Sequence, residues 1–237
     1  MLPKGCRPAI VRDMFKKTAG TLLAAAAVAA AAVAVPATAL AAPATVMIST
    51  GDSVAIRHTD GRTDSGCTLG FILTGGDNQP RGLMAGHCGN LHDEIATLDG
   101  RTIGRIAAVE YPGTDNGPDT ALVSFAPGVS VDARIAGQRP IVGELTKSDV
   151  KRSNPILCKL GATTGRTCGP FADVAAPDSM IAFHGLNEHG DSGSPVWAYG
   201  TNGEVLAFGT LSGGPNGNSN ITYVEPISRY MTLWNLH

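Results

Sequence analysis

The chain has 237 residues, 30 of them glycine, and its positive charge is concentrated at the start: five of the 18 basic residues but one of the 20 acids precede Ala42. From Ala42 onward, 13 basic and 19 acidic residues leave a net charge of −6. A nucleic-acid partner would want a basic face, so that class is excluded.

In chain order, the first segment is an address rather than a fold. Lys4, Arg7, Arg12, Lys16 and Lys17 precede a run of Ala, Val and Leu from Thr21 to Val35, closed by Ala39-Leu40-Ala41. A basic head, an apolar middle and an A-x-A end describe a secretory signal peptide, residues 1–41. The run is too short and too alanine-rich for a membrane span, which needs about 20 strongly apolar residues. The expectation is a secreted chain with no membrane span after signal cleavage.

Removing Cys6 with that segment leaves Cys67, Cys88, Cys158 and Cys168. An even number in an exported chain reads as two disulfides, with three pairings open. The stretch "HCGNLH" (His87, Cys88, His92) lacks the C-x-x-C spacing of a structural zinc site, so no metal is expected.

Beyond the signal, short apolar or β-branched runs alternate with turn signals: "TLGFIL", "GLMAG", "EIATL", "TIGRIAAVEY", "TALVSF", "MIAFHG", "SPVWAYG", "EVLAFGTLSGG" and "ITYVEPI". "TDG" at Thr59, "GGDN" at Gly75, "LDG" at Leu98 and "TNG" at Thr201 separate many of them, and Asx-Gly pairs between such runs are hairpin signals. The pattern predicts an all-β sandwich or barrel. Only the end differs: Ile227, Tyr230, Met231 and Trp234 form one apolar helical face, with Pro226 at the expected start. Turn residues and charges from Ser124 to Val142 mark a boundary between residues 42–128 and 129–237. Each part holds two cysteines, which fits two small barrels with one disulfide apiece.

The stretch "NEHGDSGSPVW", Asn187 to Trp197, sets an acid and a serine between glycines. It can be an ordinary turn, or a tight backbone shaped around one hydroxyl. A serine hydroxyl needs a base to become a nucleophile, normally a histidine held by a carboxylate. His87 follows a strand and precedes a cysteine, and Asp119 stands at the mouth of an apolar strand, where an acid is costly. Taken singly, these are a strand-end histidine and a turn aspartate. Together with Ser192 they run in the order His, Asp, Ser at separations of 32 and 73 residues, a known serine-hydrolase order. The α/β-hydrolase order fails, because His237 is the only histidine after Ser192 and "GDSGS" is not G-x-S-x-G.

"AGHC", "DTALV" and "GDSGSP" resemble the three triad motifs of the chymotrypsin-like serine proteases, most closely the bacterial branch of the streptogrisins and α-lytic protease. "GDSVAI…CTLGF", "CKLGATTGRTCG" and "GTLSGG" extend the resemblance over nearly all of residues 42–237. It implies an all-β fold of two packed six-stranded Greek-key barrels with a short C-terminal helix. It implies His87 as general base and acid, Asp119 as its orienter and Ser192 as nucleophile, with the N–H groups of Gly190 and Ser192 as the oxyanion hole. Cys67–Cys88 and Cys158–Cys168 are the implied disulfides, and Lys159 the implied partner of buried Asp191. Ser212, Gly213 and Gly214 would pair with the substrate backbone. Leu186 stands where trypsin-like members keep an aspartate, so cleavage after Arg or Lys should be poor unless a loop shift brings Glu188 to the pocket. No cofactor is implied; the partner is a peptide or protein substrate, and the expected state is a monomer.

Three departures qualify the pattern. Ser194 replaces the usual glycine, and neither Glu188 nor "SGGPNGNSN" supplies the cysteines of a third disulfide, which predicts a looser pocket. The domain also opens soon after the signal, without the large pro-segment of many relatives, so it folds unaided or with a helper from outside the chain. A catalytically silent binding protein on the same fold and an esterase with the same triad are the alternatives to a peptidase.

Overall fold

The computed structural model describes residues 45–62, 64–114, 117–135 and 139–237. The signal-peptide reading of residues 1–41 lies outside the described residues. After a short strand β1 (Met47–Ser49), the first sheet is built from β2 (Ser53–Arg57), β3 (Ser65–Thr68), β4 (Ile72–Thr74), β5 (Pro80–Met84), β6 (Glu94–Ala96), β7 (Thr102–Glu110) and β8 (Thr120–Phe125). The linker carries β9 (Ser130–Asp132), β10 (Ile141–Glu144) and a helix α1 (Lys147–Ser153). The second sheet follows with β11 (Leu157–Gly161), β12 (Gly165–Gly169), β13 (Phe171–Ala172), β14 (Ile181–His184), β15 (Pro195–Tyr199), β16 (Val205–Gly213) and β17 (Ile221–Pro226), before helix α2 (Ser228–Leu233).

Each sheet closes in the same way. The first runs β3-β2-β6-β7-β8-β5-β4, and β3 leads into β4 through Leu69–Phe71, so one bent strand supplies both edges of six. The second runs β12-β11-β15-β16-β17-β14-β13, and β12 and β13 are one strand broken at Pro170, which has no N–H for a ladder. Six strands thus close each barrel, and β10 adds to the second as a parallel neighbour of β16. All four expected turns are present, each with one residue in the left-handed region: Gly61, Asn78, Gly100 and Gly203.

Alternation along the strands builds the cores. Val54, Ile56, Ile95, Ile103, Ile106 and Val123 fill the first barrel; Leu157, Ile181, Phe183, Val196, Phe208 and Val224 fill the second. A third cluster joins them: Phe71, Leu83 and Leu122 pack with Trp197, Ala207 and Ile227. This seam holds both barrels in one unit, Pro43–His237.

The structure differs from the sequence expectation at both helices. Pro226 ends β17 and α2 starts two residues later, still burying Ile227 and Tyr230. Helix α1 was not anticipated, because it buries only Val150 and so has no apolar periodicity. A capping box makes it: Thr146 Oγ1 accepts from the Asp149 N–H at 3.2 Å, and Asp149 Oδ2 accepts from the Thr146 N–H at 2.9 Å. The T-x-x-D spacing was the available signal.

Glu225 on β17 is an anomaly of the second barrel: a carboxyl only 2% exposed. Tyr230 donates its hydroxyl to Oε1 at 3.0 Å, and Oε2 has no partner among the described residues. Burial pushes its pKa above the ordinary 4.5, against smaller opposing hydrogen bonds from Ser179 and Tyr230. Because the folded pKa is the higher one, this carboxyl's contribution to stability is complete below pH 4.5 and is lost as pH rises. Glu225→Gln, which removes the buried charge, should therefore raise stability at pH 7–8. In thermal melts from pH 4 to 8, the gap from the parent should close toward the acid end.

Candidate active site

Three elements bring His87, Asp119 and Ser192 together at the seam. His87 sits in a single 3-10 turn, Gly86–Cys88, just after β5; Asp119 immediately precedes β8; Ser192 lies in the loop between β14 and β15. Strands β5 and β8 are paired, with Met84 opposite Ala121, so the first two residues leave the same end of one ladder. Asp119 is 2% exposed and grips His87 twice: Oδ1 accepts the backbone N–H at 2.7 Å and Oδ2 faces Nδ1 at 2.8 Å. The other ring nitrogen, Nε2, is 2.9 Å from Ser192 Oγ.

The sequence reading gave Ser212 only to the substrate-pairing strand and did not foresee its contact with Asp119. Ser212 donates its hydroxyl to Asp119 Oδ2. It is the extra residue of a bulge in β16, where Leu211 opposes Val224 but Gly213 opposes Tyr223. A bulge re-aims a side chain, and here it turns Ser212 onto the acid.

The glycines around Ser192 have a geometric cause. Gly190 has φ 97° and Gly193 φ 90°, both in the region that favours glycine. Thr163 donates its hydroxyl to the His189 carbonyl at 2.7 Å, and the Ser194 N–H and hydroxyl donate to the Asp191 carbonyl at 2.9 and 2.5 Å. In a trans peptide the N–H points opposite to the C=O. Pinning the His189 and Asp191 carbonyls therefore turns the Gly190 and Ser192 N–H groups the other way, and neither has an acceptor among the described residues. Ser194, the departure from the family motif, is thus one of the pins, and it is fully buried.

Beneath this loop Lys159 and Asp191 pair at 2.9 Å, both side chains 0% exposed. Asp191 Oδ1 also accepts the N–H groups of Thr163 and Thr164, at 2.9 and 3.1 Å, and Oδ2 that of Glu188 at 3.1 Å. Burial alone would raise the Asp191 pKa, but the Lys159 ammonium and these donors outweigh it and hold the carboxyl below its ordinary range. Gly161 is required there, since a Cβ would strike the Asp191 carboxylate. The disulfides join Cys67 to Cys88 and Cys158 to Cys168; the first anchors the turn that carries His87, the second the hairpin that carries Lys159.

A cleft of about 1150 Å³ opens beside Ser192, lined by His87, Asn187, Glu188, Ser212, Gly213 and Gly214 among others. Glu188 lines it; Leu186 does not. Leu186 is 40% exposed, and its carbonyl accepts the hydroxyls of Thr164 and Thr167. Asn187 takes its place, and it also answers the missing third disulfide. Its amide lies 3.1, 2.9 and 3.0 Å from Ser219 O, Ile221 O and Thr222 Oγ1, and its backbone N–H donates to Ser219 O at 2.8 Å. The looser pocket expected from the absent cysteines is instead tied across by this asparagine.

A second Asp–His–Ser arrangement was invisible in the sequence. His58 Nδ1 is 2.7 Å from Asp93 Oδ2, and Nε2 is 3.0 Å from Ser65 Oγ. The side chains of His58 and Asp93 are 3% and 0% exposed, and none of the three residues lines the cleft. Asp93 also accepts the N–H groups of Thr59 and Asn90, at 2.9 and 2.8 Å. These donors outweigh burial, which acts to raise the pKa, and hold the carboxyl far below its ordinary range. The cluster fastens the segment after the His87 turn onto the barrel.

Two closed six-stranded barrels with a histidine, an aspartate and a serine meeting at their seam define the chymotrypsin-like fold, and this chain has the fold of the bacterial chymotrypsin-like serine proteases. The Nocardiopsis protease NAPase is 26% identical with a TM-score of 0.60, covering 81% of this chain and 98% of that one. The Cellulomonas bogoriensis chymotrypsin is 25% identical (TM-score 0.59; 81% and 97% covered), and Thermobifida fusca protease A is 24% identical (TM-score 0.60; 81% and 98%). No protein-family model matches the sequence, and no curated protein matches it. Among the described residues, no helix is long and apolar enough to cross a membrane.

Proposed function

We propose that the chain is a secreted serine endopeptidase acting through an acyl-enzyme intermediate. The unbroken path from Asp119 through His87 to Ser192 Oγ, beside two N–H groups without acceptors, carries this reading. Ser192 Oγ attacks the substrate carbonyl carbon while His87 Nε2 takes its proton. The Gly190 and Ser192 N–H groups receive the oxyanion, a contribution of roughly 10²–10³ per donor in rate. His87 then protonates the leaving amine. Water, deprotonated by His87, attacks the acyl-enzyme; the bond to Ser192 Oγ breaks as His87 returns the proton to it, and the second product leaves as a carboxylic acid. Asp119 holds the imidazole in the tautomer with its proton on Nδ1 and stabilises the imidazolium. Ser212, Gly213 and Gly214 pair with the substrate backbone. The basic-apolar leader and the two disulfides support export.

Covalent labelling with a fluorophosphonate, beside Ser192→Ala and His87→Ala, tests the nucleophile; labelling must require both residues. Peptide hydrolysis then separates an endopeptidase from an esterase, and kcat/KM should rise with pH as the histidine loses its proton. Glu188 lines the cleft and Leu186 does not, so a peptide series varied only before the cut should accept Arg or Lys there. A preference for medium apolar side chains would show that Glu188 does not face the bound side chain.

A further inference from the structure

A second cavity, of about 340 Å³, lies away from the cleft. Leu160, Arg166, Trp197 and Tyr199 line it from the second barrel, and Ile135 and Arg139 from the linker. Register brings these residues to one face: Arg166 opposes Leu160, Trp197 opposes Cys158 two residues before Leu160, and Tyr199 follows Trp197 by two. Side chains two apart on a strand share a face.

The chemistry of this face is unbalanced. The guanidinium carbons of Arg139 and Arg166 lie 5.7 and 5.6 Å from the centroid of the same Tyr199 ring. Neither arginine pairs with a carboxylate among the described residues, although residues 42–237 are net acidic. Arg139 donates to the Gly203 carbonyl, which carries no countercharge. Two like charges drawn to one ring repel, and an anion between them removes that cost. The Trp197 ring forms part of the wall, so its indole resonance reports on what enters. The remaining walls, Leu160 and Ile135, are apolar. At this volume the cavity stands at the small end of ligand pockets.

We propose that this cavity binds a small carboxylate on an apolar body, its oxygens held by Arg139 and Arg166 and its apolar part laid on Leu160 and Ile135. Arginine suits the role because its fork of donors matches a carboxylate. A free organic acid and the C-terminal residue of a peptide present the same chemistry. The site does not depend on the peptidase reading.

The test follows the indole ¹H–¹⁵N resonance of Trp197, assigned by difference with Trp234→Phe, since the chain has two tryptophans. Phenylpropanoate, N-acetyl-phenylalanine and the neutral phenylpropanamide are each titrated into the purified protein. At least one acid should give a saturable shift that the amide does not. A shift with phenylpropanoate alone assigns the site to free acids, and one with N-acetyl-phenylalanine to peptide ends as well. Arg139→Gln with Arg166→Gln should weaken binding at least tenfold, and the Arg→Lys pair, which keeps the charge, should weaken it less. No saturable shift with either acid, an equal shift with the amide, or full binding by the Gln pair would overturn the assignment.

Discussion

Asp119→Asn is expected to lower kcat/KM by about 10⁴-fold with the fold intact. The cause lies in which oxygen does what. Oδ1 accepts the His87 backbone N–H, so an asparagine must place its carbonyl there and its NH₂ where Oδ2 stood, facing His87 Nδ1. That NH₂ can only donate, which forces Nδ1 to accept and moves the ring proton to Nε2. Nε2 then presents a proton to Ser192 Oγ, where a base is needed. The same NH₂ cannot accept the Ser212 hydroxyl, which must turn away. Steady-state kinetics on a peptide beside a thermal melt checks this. A loss below tenfold, with the melt unchanged, would remove Asp119 from the mechanism.

Lys159→Ala should cost about 3–5 kcal/mol of stability, the range for removing one partner of a buried ion pair. The remaining charge would be Asp191, fully buried below the nucleophile loop and reachable by no other cation among the described residues. Its carboxylate also gathers the N–H groups of Thr163, Thr164 and Glu188, so its disturbance spreads to both walls of the loop. Urea unfolding measures the loss. Lys159→Met with Asp191→Asn, which leaves no buried charge, should recover part of the stability but not the activity. A single variant as stable as the parent would show that the pair does not hold this loop.

Much of the site was legible because its residues are written in short, dense motifs. Gly190 and Gly193 flank Ser192 for reasons of backbone geometry alone, and such reasons survive in a sequence. The tie made by Asn187, the Ser212 contact with Asp119 and the His58–Asp93–Ser65 cluster were not legible. Asn187 and His58 each reach a partner 35 residues away and Ser212 one 93 residues away, and no local pattern marks such a contact. The hairpin of β11 and β12 escaped the alternation test too and was reached only through its resemblance to a disulfide loop. Lys159 explains the failure: it reads as a surface residue, yet it is fully buried. Leu186 misled in the opposite way, since counting back from Ser192 gives a position in the chain and not the direction of its side chain.

The 2.9 Å approach of Ser192 Oγ to His87 Nε2 spans the seam between the two barrels. A chain growing from its N-terminus completes His87 and Asp119 more than seventy residues before Ser192 exists. Even then each barrel alone holds only part of the reactive group, and the hydroxyl stays inert until the two are seated within fractions of an ångström. Under the proposed peptidase reading, this divided ownership is a safeguard: nascent and half-folded copies are harmless to their surroundings and to one another.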